Sequence, residues 1–158
     1  TALQSRLHDQ YVIIRTSWLY SEYGKNFVKT MLHLMKEKDE LGVVSDQIGS
    51  PTSTHSLISL LLTILSKRTD RGIYHWTDGA SISWYEFALA IQREALELGL
   101  LGKEISIKPL TTEEYPVPAL RPAYSVLDRN KTLNEFEVKA TDWQQELRLV
   151  IKRIADGA

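Results

Sequence analysis

A short apolar run that ends abruptly in polar residues is the feature that most constrains the fold of this chain. Residues 12–14 read V-I-I, and residues 15–18 continue at once with R-T-S-W. Three consecutive aliphatic residues predict a strand buried on both faces, as in a parallel sheet. Ligands bind beyond the carboxyl ends of the strands in open parallel sheets. The pattern indicates either a binding site at this strand end or a polar loop in which Trp18 caps the core.

The rest of the chain alternates between predicted strands and predicted helices. Capping boxes are predicted at Ser83–Glu86 and Thr141–Gln144. In a capping box, a hydroxyl residue and a carboxylate or amide residue three positions later each accept the other's backbone N–H with their side chain. Thr52, Ser53 or Thr54 is expected to be the N-cap of the predicted helix that precedes these two capping boxes in the sequence. The predicted strands cover residues 11–15, 40–45, 72–76 and 105–110, and the predicted helices cover residues 2–8, 26–38, 54–67, 84–99, 131–136 and 142–154. This alternation predicts an α/β domain with few strands and flanking helices.

The composition and net charge of the chain limit the kinds of partner that it is expected to bind. The chain has 158 residues, which predicts a single domain, and 19 basic against 20 acidic residues give a net charge of −1. Such a balance argues against a nucleic-acid or membrane-binding surface, because both favour clusters of basic residues. No apolar run approaches the roughly 20 residues that span a bilayer. The absence of cysteine excludes disulfides and thiolate metal sites and fits a cytoplasmic protein.

The residues that would carry chemistry are missing from the sequence. There is no glycine-rich turn after the first strand, no P-loop and no G-x-S-x-G motif. The four histidines have no metal-ligand spacing, so we expect no metal site. None of the seven tyrosines is followed four residues later by the lysine that would lower its pKa. We therefore assign no catalytic residue to this chain.

Six motifs in a fixed order resemble one enzyme family. They are R-T-S-W-L-Y at 15–20, G-K-N-F-V-K-T-M-L at 24–32, D-Q-I-G-S-P-T at 46–52, G-I-Y-H at 72–75, Y-P-V-P-A-L-R-P at 115–122 and Y-S-V-L-D at 124–128. Together they resemble the C-terminal half of the dTDP-4-dehydrorhamnose reductases. These are extended short-chain dehydrogenases/reductases with an NAD(P)-binding, Rossmann-like fold. The resemblance covers nearly the whole chain.

The resemblance implies that residues 1–158 form the sugar-nucleotide half of a longer enzyme. In this family the N-terminal half carries the NADPH fingerprint and a Tyr-x-x-x-Lys pair, and residues 1–8 would be the tail of the helix that holds this pair. The parent would use NADPH to reduce the C4 keto group of dTDP-4-dehydro-L-rhamnose to dTDP-L-rhamnose, a cell-envelope polysaccharide precursor. This chain alone would be inactive.

The resemblance also assigns roles at the first strand end and the following helix. Thr16 and Ser17 would border the nicotinamide, and Trp18 would form an apolar wall against the deoxysugar; the alternative for Trp18 is a plain core residue. Asn26 and Phe27 begin a helix whose N-terminus would hold a nucleotide phosphate. The alternative for Asn26 is a helix cap, and the two roles are compatible.

Three more positions are expected to bind substrate. Arg121 lies in a proline-rich loop and would bind the diphosphate through its guanidinium; the alternative is a surface ion pair. Gln47 and Thr52 would contact the sugar or base, although turn formation and helix capping explain this loop nearly as well.

Other readings stay open from the sequence. A non-catalytic relative such as the regulatory β subunit of methionine adenosyltransferase resembles the same reductases. Other nucleotide-sugar reductases and epimerases are alternatives within the enzyme class, and an interaction domain without a small ligand is an alternative outside it. A sheet separated from its partner half exposes an edge, which favours a homodimer.

Overall fold

The computed structural model describes residues 11–67, 72–115 and 121–157. Within these ranges the chain is an α/β domain of short strands and flanking helices. The strands are β1 (Val12–Arg15), β2 (Leu19–Tyr20), β3 (Glu40–Val44), β4 (Ile48–Gly49), β5 (Thr52–Ser53), β6 (Gly72–His75), β7 (Ile82–Ser83) and β8 (Ser106–Leu110). The helices are α1 (Phe27–Glu37), α2 (Thr54–Lys67), α3 (Trp84–Glu97), α4 (Asn130–Phe136) and α5 (Trp143–Ala155). The helix end predicted at residues 2–8 lies outside the described residues.

The strands pair two by two. β1 pairs with β6 in parallel, with Arg15 opposite His75. β3 pairs with β8 and β2 with β5, also in parallel, whereas β4 and β7 are antiparallel. Because β1 and β6 run in the same direction, the polar residues that follow each strand meet at one edge. The sequence pattern at residues 15–18 predicts a site at this edge.

Two apolar clusters hold these elements together. The larger cluster lies between α1, α3 and α5 on one side and β3 and β8 on the other. Phe87 of α3 is fully buried at its centre. The smaller cluster joins α2, β6 and α4 around Trp76 and Phe136. The two clusters meet along β1, because Ile14 packs against the smaller cluster and Trp18, just beyond the strand, packs against the larger one.

The predicted strands are confirmed with small shifts of their ends, but the sequence reasoning missed four strands. Each missed strand has two residues, so it is too short to show a period-2 pattern. The D-Q-I-G-S-P-T segment was interpreted as a loop. It contains β4 and leads directly into β5, which places Gly49 and Thr52 in ladders beside the first strand end.

The first predicted capping box is confirmed. The Ser83 hydroxyl accepts the Glu86 N–H at 3.1 Å, and the Glu86 carboxylate accepts the Ser83 N–H at 2.7 Å. Ser53 is the residue that caps α2, since its hydroxyl accepts the His55 N–H at 3.0 Å. Both caps fix the starting direction of a helix next to the site.

The second predicted capping box is wrong. The N-cap of α5 is Asp142, whose carboxylate accepts the Gln144 N–H at 2.9 Å. Thr141 lies one residue earlier and donates its hydroxyl to Asp78 at 3.2 Å. Aspartate caps helices as well as threonine does, so the sequence offered two adjacent candidates and tertiary contact decided between them.

The described ranges contain neither a membrane-spanning helix nor a metal-binding cluster. No helix there is both long and apolar enough to cross a bilayer. No group of three or more histidine, aspartate or glutamate side chains is arranged to hold a metal ion in the same residues.

We expect Ser83→Ala to lower the free energy of unfolding by about 1 kcal/mol, because the Glu86 N–H loses its acceptor. Urea denaturation measures the change. Ser66→Ala is the matched control, because Ser66 is exposed near the end of α2 and its hydroxyl donates to the Thr63 carbonyl of the same helix. Equal losses in the two variants would contradict a specific role for the cap.

Candidate functional site

Hydroxyl groups fasten the end of β1 to the start of β5. Thr16 donates its hydroxyl to the Thr52 hydroxyl at 2.9 Å, and Thr52 donates onward to the Ser17 carbonyl at 2.7 Å. Ser17 donates its own hydroxyl to the Ser50 carbonyl at 2.8 Å. Thr16 is exposed, whereas Thr52 has no exposed surface. Thr52 therefore supports the strand end from within, and its predicted ligand contact stays a prediction.

Trp18 is held in an unusual backbone conformation inside an aromatic group. Its φ of 48° lies in the left-handed region, which is strained for a bulky residue. Its ring stacks on Trp84, with 3.6 Å between ring centroids and 14° between planes. Trp18 is only partly buried. The core contact is therefore present, and the contact of Trp18 with the deoxysugar stays a prediction.

The polar groups at the start of α1 form hydrogen bonds with other residues of the chain. The Asn26 side-chain oxygen accepts the Lys29 N–H at 3.2 Å, and its amide donates to the Ser21 carbonyl at 2.8 Å. Asn26 is thus the N-cap of α1, and its predicted contact with a phosphate stays a prediction. Phe27 turns inward and packs on Trp84, with 4.6 Å between ring centroids.

A cavity of about 470 Å³ lies between α1 and β3. Most of its wall is apolar, and its polar side chains include the Gln47 amide and the Arg121 guanidinium. Its lining residues are Phe27, Thr30, Met31 and Leu34 of α1, Gly42, Val43 and Val44 of β3, and Gln47, Trp84, Tyr115 and Arg121. A mostly apolar cleft with a few polar groups is the usual form of a small-molecule site.

Arg121 lies at this cavity and is exposed. Its guanidinium has no ion-pair partner among residues 11–67, 72–115 and 121–157, so the predicted alternative of a surface ion pair finds no partner there. An arginine without a carboxylate partner keeps its fork of donors for an anionic ligand.

The loop that leads towards Arg121 is anchored beside Gln47. The buried Gln47 amide donates to the Thr112 hydroxyl at 3.0 Å. Asp46 accepts hydrogen bonds from the Thr112 N–H, at 2.9 Å, and from the Thr112 hydroxyl. These two bonds hold the pKa of Asp46 below its usual range. Gln47 is therefore engaged with the protein as well as lining the cavity.

Asp78 lies under the strand edge and is 1% exposed. It accepts the Ser53 N–H at 2.6 Å and the hydroxyls of Ser56 and Thr141. Burial raises the pKa of Asp78 to about 6 from 3.8, since these hydrogen bonds offset only part of the desolvation and the Glu146 charge adds to the rise. The carboxyl links β6 to the beginnings of α2 and α5.

The predicted site residues fall into two groups. One group lies at the carboxyl edge of β1, and the other lines the cavity beside α1. The edge group is Thr16, Ser17, Trp18 and Thr52, the cavity group is Phe27, Gln47 and Arg121, and Asn26 caps α1 next to the cavity. Trp84 touches both groups, and sequence reasoning missed it. The signal was a tryptophan directly after the Ser83 cap, where a surface residue is more usual.

A second cavity, of about 570 Å³, lies along α3 near Trp143. Its charged lining residues are two acids, Glu86 and Glu104, and one base, Arg93. None of the residues predicted from the sequence lines it. The cavity between α1 and β3 is therefore the better candidate for the site.

Comparison of structures defines the class of protein. The described chain matches a crystal structure of dTDP-4-dehydrorhamnose reductase from Bacillus anthracis str. Ames in complex with NADP. The TM-score is 0.84 and the identity 39%, covering 94% of this chain and 50% of that chain. The chain thus has the α/β fold of the C-terminal part of an extended short-chain dehydrogenase/reductase, which confirms the predicted fold class.

Sequence comparison narrows the class to one family. The chain is 44% identical over 147 residues to dTDP-4-dehydrorhamnose reductase of Aggregatibacter actinomycetemcomitans, covering 90% of this chain and 50% of that relative. It is 46% identical over 136 residues to the spore coat polysaccharide biosynthesis protein SpsK of Bacillus subtilis (strain 168), covering 86% and 45%. The RmlD substrate binding domain family matches residues 2–155, and this chain belongs to that family. The chain spans about half the length of these relatives.

We expect Asp78 to make stability fall as pH rises from about 4 to about 6. Its folded pKa lies above its ordinary value, so the folded state holds the proton more tightly and loses that advantage as the proton leaves. The difference in unfolding free energy between the native chain and Asp78→Asn should change by roughly 3 kcal/mol across this range. Urea denaturation at several pH values measures it.

Asp46→Asn is the matched control for this pH dependence. The pKa of Asp46 is lowered in the folded chain, so its contribution to stability is lost as pH falls, the opposite direction. Parallel pH curves for the native chain and Asp78→Asn would contradict the assignment.

Proposed function

We propose that this chain is the substrate-binding half of a dTDP-4-dehydrorhamnose reductase. It would bind the nucleotide sugar in the cavity between α1 and β3. The NADPH-dependent reduction of the C4 keto group would then take place at the neighbouring carboxyl edge of β1. The single observation that carries this proposal is Arg121, a guanidinium that lines a mostly apolar cavity and has no ion-pair partner within the described residues. It lies in a chain of the RmlD substrate binding domain family.

The chemistry of the cavity suits a nucleoside diphosphate. The apolar side chains of α1 and β3 match the faces of a base, and the Gln47 amide supplies a polar contact. A guanidinium binds adjacent phosphate oxygens through two parallel hydrogen bonds. Arg121 would hold the diphosphate, and the N-terminus of α1 at Asn26 and Phe27 would add a favourable field.

The edge of β1 suits the reacting end of the ligands. Thr16 offers an exposed hydroxyl beside Ser17, and both would border the nicotinamide of NADPH. The partly exposed ring of Trp18 would face the deoxysugar. The cofactor supplies the hydride, while these residues would hold the two reactants close together, which itself contributes much of a rate enhancement.

We further propose that a cofactor half completes the enzyme. The relatives are about twice as long as this chain, and one of their structures holds NADP. Helix α2 exposes an apolar face that suits this contact, with Ile58, Leu62 and Leu65 being 52%, 62% and 74% exposed. An apolar face of this kind marks a contact surface. A cytoplasmic location fits a parent enzyme of nucleotide-sugar metabolism. A homodimer would bury a surface similar to the apolar face of α2.

We expect the chain to bind dTDP with saturation in isothermal titration calorimetry. Arg121→Ala should weaken this binding about ten- to a hundredfold, because a hydrogen bond to a charged group is worth about 1.5–3 kcal/mol. Lys152→Ala is the matched control, since it removes an equal charge from the exposed face of α5. Loss of affinity in both variants alike would indicate a general charge effect and contradict the assignment of Arg121.

We expect the chain alone to oxidise no NADPH in the presence of dTDP-4-dehydro-L-rhamnose. The sequence has no Tyr-x-x-x-Lys pair to donate the proton. Adding the N-terminal half of the parent enzyme should restore NADPH oxidation, which is measured as a fall in NADPH absorbance. Failure of the reconstituted, folded pair to reduce the substrate would favour a non-catalytic regulatory parent.

A further inference from the structure

Trp18 makes a tight set of contacts for a residue in a strained conformation. A bulky residue keeps a φ of 48° only when its surroundings hold it there. The Thr52 N–H donates to the Trp18 carbonyl at 3.2 Å, which ties the backbone to β5. The ring is held separately, by Trp84 and by Gly49.

Gly49 leaves the space that the Trp18 ring occupies. A Cβ at Gly49 would lie 2.5 Å from Cε2 and Cζ2 of the Trp18 ring and 2.7 Å from its Nε1. Any side chain at this position would therefore move the indole. The missing side chain at Gly49 thus leaves the room that this part of the indole occupies.

Trp84 fixes the same ring by stacking and also reaches the cavity. Its ring is 3.6 Å from that of Trp18 and 4.6 Å from that of Phe27. Trp84 and Phe27 line the cavity that contains Arg121, and Trp18 is not among the lining residues. Trp84 thus forms the wall between the cavity and the strand edge.

We propose that Trp84 and Gly49 are positioning residues that hold the Trp18 ring against the sugar of the bound nucleotide sugar. This inference rests on the proposed function, because it takes the cavity as the nucleotide site and the β1 edge as the sugar site. The diphosphate end is bound by Arg121 independently of the stack. The two tryptophans and Gly49 thus determine how much affinity the sugar adds to that of dTDP alone.

The test compares the affinities of dTDP-L-rhamnose and dTDP for each variant by calorimetry. Trp84→Phe and Gly49→Ala should each lower the ratio of the two affinities about three- to tenfold, the range that one aromatic pair contributes. The affinity for dTDP itself should change little in Gly49→Ala. Trp143→Phe is the matched control, because Trp143 contacts Phe87 edge-on, at 6.2 Å between centroids, in the same cluster.

Circular dichroism provides a readout that does not depend on ligand. Two stacked indoles couple their electronic transitions and give a paired positive and negative band in the far ultraviolet. This paired band should be present in the native chain and in Trp143→Phe and absent in Trp84→Phe. Gly49→Ala should weaken it.

The outcomes separate this inference from the proposed function. If the paired band is absent in Trp84→Phe and weakened in Gly49→Ala while the affinity ratio is unchanged, the stack does not position the sugar, and the inference fails while the dTDP site stands. If the folded native chain binds neither ligand, both proposals fail. A reduced ratio in both variants, with an unchanged ratio in Trp143→Phe, supports the positioning role.

Discussion

The arrangement of the site depends on one buried carboxyl group. Asp78 follows β6 and accepts hydrogen bonds from the Ser53 N–H and from the hydroxyls of Ser56 and Thr141. These groups belong to the end of β5, the first turn of α2 and the approach to α5. An uncompensated carboxylate in this position would cost several kcal/mol, so the three bonds have to form together. The β1 edge therefore has a fixed position relative to α5 and the larger core.

The two parts of the proposed site are joined by aromatic packing. Trp18 belongs to the strand edge, Phe27 to the cavity, and Trp84 contacts both rings. Phe87, one turn further along α3, packs beneath them in the larger cluster. A nucleotide sugar that filled the cavity would extend past Trp84 towards the β1 edge. Rigid aromatic walls of this kind add affinity by avoiding the entropy loss of ordering flexible side chains.

Local rules were sufficient for much of the fold but not for the roles of several site residues. Aliphatic runs and the Ser83 cap predicted the longer strands and α3, because these signals depend only on neighbouring residues. The two-residue strands, the Asp142 cap and the contact between Trp18 and Gly49 depend on residues distant in sequence, which no local pattern encodes. The ladder between β2 and β5 buries Thr52, which no local pattern indicates, and its contact with a ligand stays a prediction. Arg121 was placed at the site by the motif resemblance, and the structure adds the cavity beside it.

The most direct test of the central claim uses the four tryptophan indole signals in a nitrogen-15 NMR spectrum of the chain titrated with dTDP-L-rhamnose. Trp84 lines the proposed cavity and stacks on Trp18, Trp143 lines the other cavity, and Trp76 is buried with its indole N–H bonded to Ser56. The account predicts that the signals of Trp84 and Trp18 move with saturation while those of Trp143 and Trp76 stay in place. Movement of the Trp143 signal with a stationary Trp84 signal would place the ligand in the other cavity and contradict the account.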